Sequence, residues 1–247
     1  MSTTTTLEVK TAADLAHQPE EYQTAVHKIV ISHAVNELYG AQVFDEPAIQ
    51  LAPTPYAKWL TCRVAMEEYH HHVRFKALAD EIGIPAARMD TRNKRPLSIF
   101  EFQLKTWPEF CVIKAIADYA EILQVEDLLH CSFHPLRNLA RITMPEEKFH
   151  AKFGKDTCLE LIQAGRADEV QDAINRYFPL TPAFFGASQS KNNEMFRKWG
   201  LKQRSNDEMR ADFKGRVTEL VEKDFGLRLP TISVSYTHLT LPTTPYV

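Results

Sequence analysis

The chain repeats the pattern Glu-Glu-x-x-His, once in residues 66–72 (MEEYHHH) and once in residues 145–150 (PEEKFH). Both copies lie in long stretches whose apolar residues recur at helical spacing. Residues three apart on a helix lie on one face, one above the other. A glutamate and a histidine at this spacing can therefore reach the same metal ion. Two such helices that face each other would supply two carboxylates and two imidazoles.

The second copy contains a single pair at this spacing, Glu147 with His150. The first copy contains two. Aligning the two copies favours Glu68 with His71, because these residues occupy the positions of Glu147 and His150. The other pair with the same spacing stays open: Glu67 and His70.

A dinuclear centre in a helical bundle takes one further carboxylate from each of the two remaining helices. Glu37 lies on the apolar stripe of the first long helix, 31 residues before Glu68. Asp118 lies 29 residues before Glu147 in a nearly all-apolar helix, where an unpaired carboxylate would be costly. Short connections between antiparallel helices would bring each pair to the same height. Asp118 is favoured, and Glu121 stays open for the third helix.

The remaining pattern predicts an all-α chain, since glycine is scarce and proline-rich breaks separate helical stretches. Four long helices with additional C-terminal helices indicate a ferritin-like four-helix bundle. The predicted helices run from Glu20 to a fading end at Phe44–Pro47, then over about 56–82, 108–129, 135–164, 167–177, 191–201 and 205–225.

The chain divides by composition into three parts. Residues 1–18 are polar and threonine-rich, and we expect a flexible arm. Residues 19–229 form the expected ferritin-like di-iron domain. Residues 230–247 contain no Asp, Glu, Lys or Arg and resemble a translated sequencing adapter, so we expect a non-native tail.

The overall composition is that of an ordinary globular protein, with 44% hydrophobic residues and a net charge of −3. Nothing in it calls for a nucleic-acid partner. No apolar run reaches the roughly 18 residues of a membrane helix, so we expect a cytoplasmic protein. Four widely separated cysteines are expected to be reduced and in or near the core: Cys62, Cys111, Cys131 and Cys158.

Four carboxylates and two imidazoles suit iron or manganese, whereas zinc takes fewer ligands and more sulfur or nitrogen. The repeated motif, the acids at 37 and 118 and the helical layout resemble the phenylacetic acid catabolism family over about residues 20–225. That family comprises multicomponent di-iron oxygenases. The chain departs from it in its short length and its three consecutive histidines.

The resemblance implies two iron ions, or a manganese–iron pair, with these ligands: Glu37, Glu68, His71, Asp118, Glu147 and His150. It also implies electrons from NAD(P)H through a separate reductase, a ferritin-like partner subunit, and homo- or hetero-oligomers. The expected activity is epoxidation or hydroxylation of an aromatic or acyl substrate, such as a phenylacetyl-CoA-like thioester. The alternatives are a di-metal oxidase or ferroxidase and a non-catalytic scaffold subunit.

Two basic clusters fit a phosphate site for coenzyme A, a docking surface or solvated surface. The first comprises Arg88, Arg92, Lys94 and Arg95, and the second Lys191, Arg197, Lys198, Lys202 and Arg204.

Overall fold

A computed structural model describes residues 7–91 and 97–231 of the chain. These residues form nine α-helices, together with short 3₁₀ and π segments, and contain no β-strand. The α-helices are α1 (Ala12–Leu15), α2 (Glu20–Gly40), α3 (Glu46–Leu51), α4 (Pro55–Glu81), α5 (Trp107–Leu128), α6 (His134–Gln163), α7 (Ala167–Tyr177), α8 (Lys191–Lys198) and α9 (Asn206–Thr218). The predicted all-α, ferritin-like bundle is confirmed.

Four long helices, α2, α4, α5 and α6, form the bundle, with α2 packed on α4 and α5 packed on α6. Side-chain caps mark the starts of two of these helices. Thr54 caps α4, and Thr106 forms a capping box with Glu109 at the start of α5. Gly83 and Gly165, which follow α4 and α6, adopt the positive φ angles that glycine favours after a helix.

Helix α5 lies at the centre of the fold. Nearly every residue from Trp107 to Leu128 is buried, as its all-round apolar pattern predicted. The bundle covers one side, and α7, α9 and the 3₁₀ segment Phe178–Phe185 cover the rest. No described helix combines the length and apolarity needed to cross a bilayer.

Helix α6 approaches α5 very closely at Gly154. A Cβ atom built on Gly154 would lie 2.3 Å from the backbone nitrogen of Ala115 and 2.8 Å from the carbonyl oxygen of Cys111. Only a residue without a side chain allows this approach. Gly154 is one helical turn beyond His150, so this contact sets the distance between α5 and the second Glu-x-x-His motif.

The predicted end of the first helix at Phe44–Pro47 is wrong. The chain continues from α2 through a π-helical segment, Ala41–Asp45, directly into α3. Pro47 is the second residue of α3, and because it has no N–H, one hydrogen bond to the preceding turn is missing where the π segment meets α3. The wide π turn buries Asp45, which points toward α5.

The segment before α2 lies against the bundle. Val9 is buried, its amide donates to Ser132 O at 2.8 Å, and its carbonyl accepts from His134 N at 2.9 Å. The division at residue 18 and the domain limits 19–229 stay predictions. Residues 232–247 of the proposed tail, and Arg92, Lys94 and Arg95 of the first basic cluster, lie outside the described residues.

The cysteine prediction needs one correction. Cys111, Cys131 and Cys158 are buried free thiols, but Cys62 is exposed on α4. It lies on the side of that helix that faces away from the core.

Candidate metal centre

The bundle brings all six favoured residues into one buried cluster. Glu37 comes from α2, Glu68 and His71 from α4, Asp118 from α5, and Glu147 and His150 from α6, and none is more than 6% exposed. Their oxygen and nitrogen atoms form two groups, each within 4.8 Å. One group is Glu37, Glu68, His71 and Glu147, and the other is Glu68, Asp118, Glu147 and His150. Glu68 and Glu147 belong to both groups, so the two groups share two carboxylates.

Both imidazoles direct Nδ1 into the cluster. His71 Nδ1 lies 3.0 Å from Glu147 Oε1 and 3.5 Å from Glu37 Oε2. His150 Nδ1 lies 3.1 Å from Glu68 Oε1 and 3.8 Å from Glu147 Oε2. The two histidines therefore face the carboxylates from the two motif-bearing helices.

The opposite ring nitrogens are held by the first glutamate of the other motif. His150 Nε2 is 2.9 Å from Glu67 on α4, and His71 Nε2 is 2.9 Å from Glu146 on α6. An Nε2–H that donates to a carboxylate leaves the Nδ1 lone pair free for a metal ion. This reciprocal arrangement places both glutamates of each Glu-Glu-x-x-His motif in or directly beside the cluster.

Two arginines hold these outer carboxylates. Arg63 Nε donates to Glu67 Oε1 at 2.9 Å, and Arg74 Nη2 donates to Glu146 Oε1 at 3.2 Å. Although burial opposes it, the neighbouring histidine and arginine lower the pKa of each glutamate. Both outer carboxylates are therefore ionised acceptors at neutral pH.

The geometry separates the alternatives that the sequence left open. His70 is exposed, and Glu67 lies in neither group. On α5, Asp118 joins the Glu68–Glu147–His150 group, whereas Glu121 lies with His33, at 3.4 Å, and Glu37 in a separate cluster. The structure thus favours Glu68, His71 and Asp118, and their metal binding stays a prediction.

The cluster suits a metal because the protein leaves its polar atoms unsatisfied. The buried atoms without a hydrogen-bond partner include Glu37 Oε1, His71 Nδ1, Asp118 Oδ2, Glu147 Oε1 and His150 Nδ1. Unpaired buried polar atoms are costly, and native proteins rarely retain several together without a function. Divalent cations bound at this place would satisfy all five.

Burial also shifts the pKa values of the cluster residues, because few cations lie near several carboxylates. Burial raises the pKa of Glu37 to about 7 and the pKa of Asp118 well above its ordinary value. Burial alone would lower the pKa of His71, but the carboxylates of Glu147 and Glu37 that face its Nδ1 raise the pKa strongly. Shifts of this size, with several carboxylates sharing few cations, mark functional sites.

Sequence reasoning missed Lys114, whose ammonium group reaches the cluster from α5. Lys114 Nζ lies 2.7 Å from Glu68 Oε1, 3.1 Å from Asp45 Oδ1 and 3.2 Å from Asp118 Oδ2. Its exposed fraction is 3%. The available signal was its position four residues before Asp118 in an apolar helix.

A small cavity of about 50 Å³ opens beside the carboxylates and is lined partly by Phe44, Phe100 and Phe184. A neighbouring cavity of about 190 Å³ shares Asn36, Glu121 and Phe184 with it. The larger cavity is lined by two ammonium groups, those of Lys28 and Lys202, and by several amide side chains. Lys202 belongs to the second basic cluster predicted from the sequence.

The fold and the buried cluster define a class: helical bundles with two facing Glu-x-x-His motifs, in which di-iron carboxylate proteins are found. Within that class, the chain belongs to the phenylacetic acid catabolic protein family, whose model matches residues 9–238. The family resemblance seen in the sequence is confirmed. The chain is also 28% identical over 222 residues to one of the subunits of the 1,2-phenylacetyl-CoA epoxidase of Escherichia coli (strain K12). That alignment covers 86% of this chain and 71% of the relative.

Proposed function

We propose that this protein is the oxygenase component of a multicomponent monooxygenase, with two iron ions held by Glu37, Glu68, His71, Asp118, Glu147 and His150. The observation that carries the proposal is the pair of overlapping carboxylate–imidazole groups that share Glu68 and Glu147. Four carboxylates and two imidazoles are a donor set for iron or manganese. The bound metal would supply the redox chemistry that O₂ reduction requires.

The reaction consumes O₂, two electrons and two protons, places one oxygen atom in the substrate and releases the other as water. The protein's part is positioning. Glu67 and Glu146 orient the two imidazoles, and the buried helices keep bulk water from the carboxylates. As the family resemblance implies, the electrons would come from NAD(P)H through a separate reductase.

The substrate class is an aromatic or acyl thioester of coenzyme A, of which phenylacetyl-CoA is the first to test. The name of the E. coli relative supports this class. The two cavities support it as well. Phe100 and Phe184 offer an apolar wall beside the metal centre, while Lys28 and Lys202 offer positive charge farther out. The relative is one subunit of its enzyme, and we propose a ferritin-like partner subunit here too.

The first test is the metal content of protein expressed with iron, measured by elemental analysis beside a Glu68→Ala, Glu147→Ala double variant. About two irons per chain in the wild type, lost in the variant, would support the centre. An exposed double variant, Glu81→Ala with Glu222→Ala, should keep its iron. Absence of metal from the wild type, even after anaerobic loading with ferrous iron, would favour the alternative that the protein is a non-catalytic scaffold subunit.

The second test is substrate turnover by the iron-loaded protein, supplied with NADPH, a reductase and phenylacetyl-CoA. Mass spectrometry should find one oxygen atom from ¹⁸O₂ in the product. Oxidation of ferrous iron alone, without incorporation of oxygen into any thioester tested, would point to a ferroxidase or oxidase.

A further inference from the structure

The metal centre contains a lysine as well as its predicted ligands. Lys114 Nζ contacts three carboxylates, of which Glu68 and Asp118 belong to the proposed ligand set and Asp45 does not. We propose, on the basis of the proposed function, that Lys114 is a buried counter-ion that competes with the second metal ion for Glu68 and Asp118. Asp45 remains the ion-pair partner of Lys114 when the metal is bound.

The charges of the buried groups support this role. Three acids beside the cluster have cationic partners of their own: Glu67 with Arg63, Glu146 with Arg74, and Glu121 with His33. Five further carboxylates lie in or against the cluster: Glu37, Asp45, Glu68, Asp118 and Glu147. Two ferrous ions carry four positive charges, and the histidines are neutral when they bind metal. Lys114 supplies the fifth positive charge. Without it, one buried carboxylate would stay uncompensated in the metal-bound protein, which is strongly unfavourable.

The contacts of Lys114 are asymmetric, and this asymmetry predicts the order of metal binding. Its ammonium contacts Asp118, which belongs only to the group with His150. The other group has Glu37 and His71 as its own members, and Lys114 contacts neither of them in any ion pair of the described residues. A cation entering the Asp118–His150 side meets a like charge a few ångströms away, and this repulsion is strong in a buried site. The Glu37–His71 side is therefore filled first.

Asp45 makes the arrangement reversible. It is 1% exposed, lies in the π segment Ala41–Asp45, and accepts from Lys114 Nζ at 3.1 Å. When a metal ion takes Glu68 and Asp118, Lys114 keeps one charged partner without leaving the interior. The π segment that carries Asp45 into the core thus has a function in metal loading.

The test is an anaerobic titration of metal-free protein with ferrous iron and, separately, with Co²⁺, followed by calorimetry and by the Co²⁺ absorption spectrum. The wild type should bind two ions in steps at least tenfold apart. Lys114→Met should tighten the second step at least tenfold and lower the melting temperature of the metal-free protein. Asp45→Asn should weaken the second binding step at least tenfold, because Lys114 then pairs only with Glu68 and Asp118.

The control is Lys152→Met, which removes an exposed lysine on α6 and should leave both steps unchanged. If Lys114→Met does not fold, the affinity of the second binding step in Asp45→Asn tests the proposal by itself. A second step that neither variant changes, in a wild type that binds two ions, overturns the role of Lys114 and leaves the proposed function standing. A wild type that binds no ion overturns both.

Discussion

His150 Nε2 on α6 lies 2.9 Å from the carboxylate of Glu67 on α4, the residue directly before the proposed ligand Glu68. The same relationship occurs in the opposite direction between His71 and Glu146. Each motif therefore provides both a carboxylate of the proposed metal centre and a support for the histidine of the other motif. Replacing one outer glutamate should affect the half of the centre that lies on the other helix.

Glu67→Ala should weaken metal binding about 10- to 100-fold, because loss of a carboxylate that orients a histidine ligand has effects of this size. The affinity is measured by calorimetric titration of the metal-free protein with Co²⁺. Glu81→Ala removes an exposed glutamate at the end of the same helix and serves as the matched control. Equal affinities for the two variants would show that Glu67 does not support His150.

Gly154→Ala should destabilise the protein by about 1–3 kcal/mol, the usual range for overpacking a tight interface. The added Cβ would meet backbone atoms of Lys114 and Ala115, which cannot rotate away as a side chain would. Because α6 must then move from α5, metal affinity should fall as well. Unfolding in denaturant and Co²⁺ titration measure the two effects.

Gly215→Ala provides the opposite expectation. No atom lies within 4 Å of a Cβ at this position in α9, so alanine should stabilise the helix by about 0.5–1 kcal/mol. If Gly154→Ala proved as harmless as Gly215→Ala, the close packing of α5 and α6 would not be a constraint on the site.

His33 should make the stability of the metal-free protein depend on pH. Burial alone would lower its pKa, but the neighbouring carboxylates of Glu121 and Glu37 raise the pKa to about 9. Since the unfolded value is about 6.5, its contribution is fully present below about pH 6.5 and is lost as the pH rises through about 9.

The free energy of unfolding of His33→Gln should therefore differ most from that of the wild type at about pH 6, with the gap closing toward pH 9.5. Denaturant titrations across this range measure it. His17→Gln, at an exposed position before α2, should show no such trend. A constant gap for His33→Gln would mean that packing on Phe75, not charge, accounts for its contribution.

The cysteines should differ sharply in reactivity. Burial raises the pKa of Cys131 to about 12 and also raises the pKa values of Cys111 and Cys158, whereas Cys62 is exposed. The thiolate is the reactive form. One thiol per folded chain should react quickly with a disulfide reagent, and four should react after denaturation. A fast-reacting thiol that persists in Cys62→Ser would contradict the described burial.

Much of the fold was predictable because helix periodicity and proline or glycine breaks are local signals. The limits of α4, α5 and α6 fall within about two residues of those predicted, and α7 spans the predicted residues. The proposed site was accessible for a related reason. Residues three apart on a helix share a face whatever the rest of the chain does, so Glu147 and His150 could be paired from the sequence alone.

The features of the site that could not be predicted depend on contacts between helices, and spacing along the chain does not reveal such contacts. Lys114 resembled an ordinary polar interruption of an apolar helix, and its partners Asp45 and Glu68 lie on other elements. The π segment that positions Asp45 has no sequence signature, and Pro47 indicated a break instead. The first glutamates of the two motifs were visible, but their function depends on the facing helix.

The reciprocal support of the two histidines also bears on how such a centre can be lost or inherited. Loss of Glu67 or Glu146 leaves the carboxylates of the cluster in place but releases the imidazole of the opposite motif, so neither half of the centre is independent of the other. Descendants of such a chain would keep both motifs or abandon both together. Glu67 and Glu146 thus join the two motifs into one interdependent unit, although 78 residues separate them along the chain.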